Sequence, residues 1–369
     1  MIRLAIQQRV IPAYRAPFLE LLATHPDIKV GVFAGEPKDK EQIKIVKHLK
    51  GIDYQLSRNI HLFDGKFYIC LQPEFKKWIV NWEPDVLIVE ANPRYSSTPF
   101  VVQWMNNKNK PVLGWGLGVP EYSGYLSNLR NQSRQKFLSS LNGIIAYSQK
   151  GAQQYIQAGF SPDQVYIATN ATAPAPTAPP PVRKTWINTR DPILLYVGRL
   201  QKRKRIDSLI RVCAMLPEKI QPLLWIVGDG DIRQELEAFA NNVFPKTTFW
   251  GEKFGEELSH LFSKADLFVL PGTGGLAVQQ AMSYALPVIV ADGDGTQADL
   301  INSSNGWMVT PGDDQQLYQT IQTALHSPEL LLSMGLAGYE IVKNEVNIEN
   351  MVSVFIKACK DVLIKGSKQ

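Results

Sequence analysis

The sequence predicts an α/β protein of two doubly wound, parallel-sheet domains joined by a proline-rich connector. Three observations carry this expectation. Short apolar runs alternate with amphipathic helical patterns along both halves of the chain, the spacing of strand–helix–strand crossovers. Between the halves, ATAPAPTAPPP (Ala171–Pro181) sets five prolines in eleven residues, which excludes both helix and central strand. Finally, 369 residues at 45% apolar and 20% charged suffice for two ordinary cores.

In the first half, Arg3–Gln7 reads as a strand, Ala16–Thr24 as a helix and Ile28–Phe33 as the next strand. Val86–Glu90, Val112–Trp115, Ile144–Ser148 and Val165–Ala168 follow as strands, with helical patterns at Pro99–Asn107, Leu126–Leu141 and Gly151–Ala158. The segment Asp39–Asn81 is charged, then mixed, and becomes a helix around PEFKKWIVNW. There Trp78 and Trp82 sit four apart, the spacing of a core pair, with a membrane-facing edge as the other reading. The connector should be extended and semi-rigid. The expected division is 1–170, connector 171–190, 191–345, and a terminal helix over 346–369 that crosses back to the first domain.

The second half repeats the alternation: strands at Ile193–Val197, Leu223–Val227, Thr248–Trp250 and Trp307–Val309, helices at Ile206–Met215, Ile232–Ala240 and Glu256–Ser263, and helical patterns from Asp314 onward. Its centre is Lys264–Asp292, where the run Leu267–Leu270 stops at Pro271 and a turn holding Gly272, Gly274 and Gly275. An amphipathic helix follows, and Pro287 opens the run Val288–Val290. A glycine turn between strand and helix leaves backbone N–H groups unpaired at the C-terminal edge of a sheet, where they attract phosphate. Upstream, YVGRLQKRKR adds cations after another strand, so two phosphate-binding parts lie in one half.

Three scattered cysteines (Cys70, Cys213, Cys359) lack metal spacing and suit buried thiols in a reducing compartment. MIRLAIQQRV is too short and polar for a secretory signal, and no run reaches the ~18–20 apolar residues of a membrane span. The expected location is cytoplasmic, with the inner face of the membrane as an alternative. Lys and Arg exceed Asp and Glu by 7 over residues 1–182 and fall short by 2 over 183–369. That split is either ordinary solvated surface or a basic half facing anionic membrane or an anionic acceptor. Nucleic acid is not expected, because the cations are not interleaved with aromatics.

The ordered set YVGRLxxxKR, WIVGDG, FWGEKF, ADLFVLPGxGGLxxxQAMxxxLPVI and NGWMVTPGD resembles the retaining nucleotide-sugar glycosyltransferases of family 4, which have the GT-B fold of two Rossmann-like domains facing across a cleft. The first half shares only the alternation and YSxxGxxxYxxxGF (Tyr147–Phe160). The resemblance implies that Arg199 and Lys204, after Gly198, meet the donor diphosphate, whose departing charge must be neutralised. It implies that Gly272, Gly274, Gly275 and Leu276 turn backbone amides to the same group, and that Lys253 and Phe254 of GEKF lie at the base. No metal is expected, and no cofactor beyond the nucleoside diphosphate sugar. VGDGD (Val227–Asp231) lacks the third glycine of a dinucleotide fingerprint, since position 233 is Arg.

The chain departs from the family pattern in ways that bear on mechanism. Where relatives carry a Glu-x7-Glu pair, this chain has Gly272 and Gln280. Gln280 can still bind the donor ribose, because an amide both donates and accepts; Gly272 offers only backbone. The loop GWGLGVPEY (Gly114–Tyr122) lacks the family's histidine, and the Asn-Gly-Val-Asp signature has become NATA (Asn170–Ala173). On the acceptor side, Tyr14 and Arg15 follow the first strand and are expected to face the cleft. Glu90, Asn92 and Arg94 follow the fourth, and Trp115 and Gly116 the fifth. Glu90 is the carboxylate placed to orient or deprotonate an acceptor hydroxyl; pairing with Arg94 or another cation is the structural alternative. The expected activity is transfer of a sugar from a UDP- or GDP-sugar to a lipid-linked or cell-surface glycan with retention. A non-catalytic nucleotide-sugar-binding protein and a GT-B sugar epimerase are the rivals.

Overall fold

The computed structural model describes residues 1–38, 41, 43–63, 65, 68–119, 127–187, 189–293 and 295–366. These form two compact units, Met1–Thr172 with Ile348–Gln369, and Ala173–Asn347.

The first unit holds a seven-stranded parallel sheet. Its strands are β1 (Ile2–Gln8), β2 (Ile28–Gly35), β3 (Asp53–Ser57), β6 (Val86–Glu90), β7 (Val112–Gly116), β8 (Gly143–Ala146) and β9 (Val165–Ile167). A two-stranded antiparallel pair, β4 (Ile60–Leu62) and β5 (Ile69–Leu71), stands apart from it. The spatial order is β3-β2-β1-β6-β7-β8-β9. The winding therefore reverses between β1 and β6, and such a switch point opens a crevice at the C-terminal strand ends.

Both faces of the sheet are covered, which is why its strands read as nearly continuous apolar runs. Leu4 and Ile6 of β1 belong to one buried cluster and Ala5 to the other, the two-residue period of a strand. Helices α1 (Ala16–Ala23) and α12 (Ile348–Gly366) pack together on the first face, with the Phe18 and Phe355 rings 4.8 Å apart. Helices α2 (Phe75–Trp82), α3 (Thr98–Asn106), α4 (Ser127–Leu138) and α5 (Gln149–Gln157) cover the second. Leu126, the expected start of α4, lies outside the described residues, as do Pro120, Glu121 and Tyr122 of the loop before it and Asp39.

The segment that resisted reading contains β3, β4 and β5. DYQLS of β3 lies at the sheet edge and is only half-buried, so it lacks the apolar run that marks the central strands. The tryptophans of α2 belong to the core: their rings stack 5.8 Å apart, and Trp82 fills the space over Gly31. A Cβ at Gly31 would fall 2.4 Å from that indole.

The second unit has the parallel order β12-β11-β10-β13-β14-β15. The strands are β10 (Ile193–Val197), β11 (Leu223–Val227), β12 (Thr247–Gly251), β13 (Leu267–Leu270), β14 (Val288–Ala291) and β15 (Gly306–Val309). Helices α6 (Ile206–Met215), α7 (Arg233–Val243), α8 (Gly255–Lys264), α9 (Ala277–Ser283), α10 (Asp314–Leu325) and α11 (Pro328–Asn344) enclose it. The switch point lies between β10 and β13.

The proline-rich segment forms neither helix nor strand, and it is seated on this unit rather than extended in solvent. Tyr339 Oη donates to the Ala178 carbonyl at 2.6 Å, and Arg183 donates to the carbonyls of Phe262, Ser263, Ala265 and Tyr284. Trp186 is buried in the core. All three cysteines are buried thiols. No helix among the described residues is long and apolar enough to cross a membrane.

Candidate active site

In the second unit the glycine turn and the basic stretch meet at the switch point. After β10, residues 202–204 form a single helical turn that brings Lys204 under the loop following β13. Lys204 is 7% exposed, and its Nζ donates to the carbonyls of Thr273 (2.8 Å) and Gly274 (3.1 Å). A trans peptide points its C=O and N–H in opposite directions. The amides of Gly274 and Gly275 therefore face away from the ammonium, free of the helical ladder. The structure thus makes Lys204 the pin of the turn, a role its spacing did not reveal.

Gly272 is enclosed by the same backbone. A Cβ there would lie 2.3 Å from the Arg203 carbonyl oxygen and 2.5 Å from the Lys204 carbonyl carbon. Thr273 N–H donates to that Arg203 oxygen at 3.2 Å, which closes the contact. Gly274 has φ +73°, a conformation glycine adopts without a steric penalty. Leu276 caps the start of α9, and Gln280 on that helix is half-buried. The next residue toward the N-terminus, Gln279, is buried and donates to the Val346 carbonyl at 2.6 Å.

Around this turn stand the other strand ends. Gly198 and Gly228 let two loops touch: a Cβ at Gly228 would meet the Gly198 oxygen at 2.0 Å. Arg199 is exposed, and its carbonyl accepts from Tyr196 Oη. In GEKF, Lys253 pairs with Glu257 at 2.6 Å, and Phe254 is 64% exposed ahead of α8.

The first unit places Glu90, Asn92, Arg94, Trp115 and Gly116 around one cavity of about 410 Å³ at the C-terminal ends of β6 and β7. Tyr95, Arg134, Tyr147 and Tyr155 also line it. Of these four, YSxxGxxxYxxxGF marks Tyr147 and Tyr155, and no motif in the sequence marks Tyr95 or Arg134. Glu90 accepts from the backbone N–H of Arg9, directly across the switch point. Its carboxyl is pushed above the ordinary carboxylate range by burial, against the opposing pull of the Arg9 N–H and the Tyr95 hydroxyl. No ion pair to Glu90 occurs among the described residues; the Arg9 guanidinium pairs instead with Glu41 at 2.9 Å.

Arg15 is not an open cleft residue. It is 4% exposed, its guanidinium stacks 4.9 Å from the Trp115 ring and 5.7 Å from Tyr147, and it donates to Asn170 Oδ1 at 2.9 Å. Aromatic faces stabilise the buried cation, so Arg15 supports the cavity wall from behind. Tyr14 stays 42% exposed.

The raised position of Glu90 has a consequence for stability. Its native form holds the proton to higher pH than the unfolded chain does, so wild-type stability falls as pH rises through and beyond the ordinary carboxylate range. Glu90→Gln removes that loss. Its melting temperature should exceed wild type by more at pH about 8 than at pH about 4. An identical difference at both would show that burial does not perturb this carboxyl.

Two doubly wound units, one with its cations and a glycine turn at a single switch point, define the GT-B class of fold. The sucrose-phosphate synthase structure from Thermosynechococcus elongatus shares it, with a TM-score of 0.74 over 99% of this chain and 100% of that one, at 20% identity. Residues 182–341 match the family model described as glycosyl transferases group 1. Curated relatives carry transferase names. The sulfoquinovosyl transferase SQD2 of Arabidopsis thaliana is 32% identical over 156 residues, 40% of this chain and 29% of the relative. A GDP-mannose-dependent alpha-mannosyltransferase of Mycobacterium tuberculosis is 34% identical over 133 residues, 35% of this chain and 33% of the relative. The match therefore spans about a third of those relatives' own length.

Proposed function

We propose that this protein transfers a sugar from a UDP- or GDP-sugar to a glycan or lipid-linked acceptor, with retention at the anomeric carbon. The observation that carries the reading is the pinning of the glycine turn by Lys204 at the switch point of the second unit. An ordered turn with outward amides and a cation beneath it, with Arg199 following the adjacent strand β10, suits a diphosphate that gains charge as the sugar leaves. Preorganisation matters here because donors already aimed at the developing charge need no rearrangement during the reaction.

Gln280 would hold the ribose, and Lys253 and Phe254 the base. Acceptor recognition falls to the cavity of the first unit, where Glu90 orients the attacking hydroxyl or takes its proton; a carboxyl raised by burial is a stronger base than an ordinary one. The retaining course asks for no protein nucleophile, in keeping with a turn that carries no carboxylate at Gly272.

The test is a panel of nucleotide sugars, followed by thermal shift and product analysis. A bound donor raises the melting temperature by mass action. Transfer to an acceptor supports the proposal; binding without turnover would assign a sensor, and an altered free donor an epimerase. In the same titrations Gln280→Ala should weaken free nucleoside diphosphate binding by about 1–2 kcal/mol, the cost of an unpaired ribose hydroxyl. Unchanged affinity would place Gln280 on plain helix surface.

A further inference from the structure

A buried polar atom at the glycine turn is left without a partner. Gln297 follows β14 in the second unit and is 2% exposed, and its Oε1 has no hydrogen-bond partner among the described residues. Gly293 locates it. A Cβ built on Gly293 would lie 3.3 Å from Gln297 Oε1 and 3.3 Å from the backbone nitrogen of Gly274. The amide end of Gln297 and the turn that Lys204 pins therefore both border Gly293, whose missing side chain leaves the space between them open. The Gln297 carbonyl accepts from the N–H groups of Leu300 and Ile301, both at 3.0 Å, which anchors the backbone that presents the side chain.

Buried acceptors are nearly always paired, because an unpaired one loses its water without replacement. An amide oxygen can only accept, so its missing partner must carry O–H or N–H and cannot be a phosphate oxygen. On a nucleotide sugar whose diphosphate lies at this turn, the neighbouring groups of that kind are hydroxyls, on the sugar at one end and on the ribose at the other. The strand order separates the two. GEKF, read as the base site, follows β12 at one edge of the sheet, whereas Gln297 follows β14 on the opposite side of β13. A donor crossing the sheet edge in that direction brings its sugar, rather than its ribose, toward Gln297.

We propose that Gln297 is a specificity-determining contact for the donor sugar, its Oε1 accepting a sugar hydroxyl beside the glycine turn. The assignment rests on the glycosyltransferase reading above. The protein and its Gln297→Ala and Gln297→Glu variants are titrated calorimetrically with free UDP and GDP and with the intact UDP- and GDP-sugars of the panel. In Gln297→Ala, affinity for the intact sugar nucleotide should fall about 5–30-fold while that for the free diphosphate changes less than about 2-fold. Gln297→Glu, which keeps an acceptor, should retain most of the preference. Equal losses for both ligands would assign Gln297 to the ribose, and no loss for either would take it out of the site; both overturn the proposal. A wild-type protein that binds no nucleotide sugar would instead overturn the glycosyltransferase reading along with it.

Discussion

Lys204→Ala should lower turnover about 10²–10³-fold, the magnitude expected for losing one preorganised electrostatic element. The structure extends what the substitution removes. Lys204 Nζ holds the carbonyls of Thr273 and Gly274, so the variant loses the charge and releases the turn proposed to meet the diphosphate. The stability cost should be about 1–3 kcal/mol, because two bonds from a charged donor disappear and two carbonyls lose their partner. Affinity for free nucleoside diphosphate should fall together with turnover, since an unpinned turn must be ordered again at each binding event. Steady-state kinetics, calorimetry and thermal melting on the same preparation separate these effects. A variant that melts lower yet turns over normally would confine Lys204 to folding and remove it from catalysis.

Gly272→Glu should be the most damaging single change at this turn, although it restores the residue type that the resembling family carries there. The side chain has no room: its Cβ would meet the Arg203 oxygen at 2.3 Å and the Lys204 main chain at 2.5 Å and 2.6 Å. These contacts are backbone, so no rotamer change relieves them. Relief requires separating the two loops, which breaks the Thr273–Arg203 bond and draws Lys204 away from its carbonyls. Overpacking of this kind costs about 1–3 kcal/mol. Nucleotide binding should drop at least about tenfold, because the displaced loop is the proposed diphosphate site. Gly272→Ala, with the Cβ alone, should show most of the stability loss. A stable Gly272→Glu protein with higher turnover would mean that the loops part readily and that the carboxylate was merely missing.

The contrast between these two residues shows how far the sequence could be read. The strand ending at Leu270, the turn after it and the basic stretch after β10 were legible because each is written locally. An apolar run, a proline and spaced glycines permit few backbone paths, and GRLxxxK repeats a known order. The edge strand β3 was not legible, because half-buried polar residues carry no strong period. Nor was the seating of the proline-rich segment on the second unit: five prolines exclude regular structure but do not say which surface the chain follows.

The candidate site divides in the same way. By itself the sequence determined the α/β alternation, the glycine turn, the cations near it and the absence of carboxylates at positions 272 and 280. Those features depend on residues within one strand–turn–helix unit. Only the tertiary structure decided that Lys204 lies beneath Thr273 and Gly274, that Glu90 meets the backbone of Arg9, that Arg15 is sealed behind Trp115, and that Gln297 and the glycine turn both border Gly293. Several of these meetings join residues tens of positions apart, across sheet neighbours that are not consecutive in the chain. The winding reverses at β1–β6 and again at β10–β13, and no local pattern of side chains encodes which strands become neighbours there. That choice is made by burying both faces of each sheet at once, a property of the whole unit rather than of any segment in it.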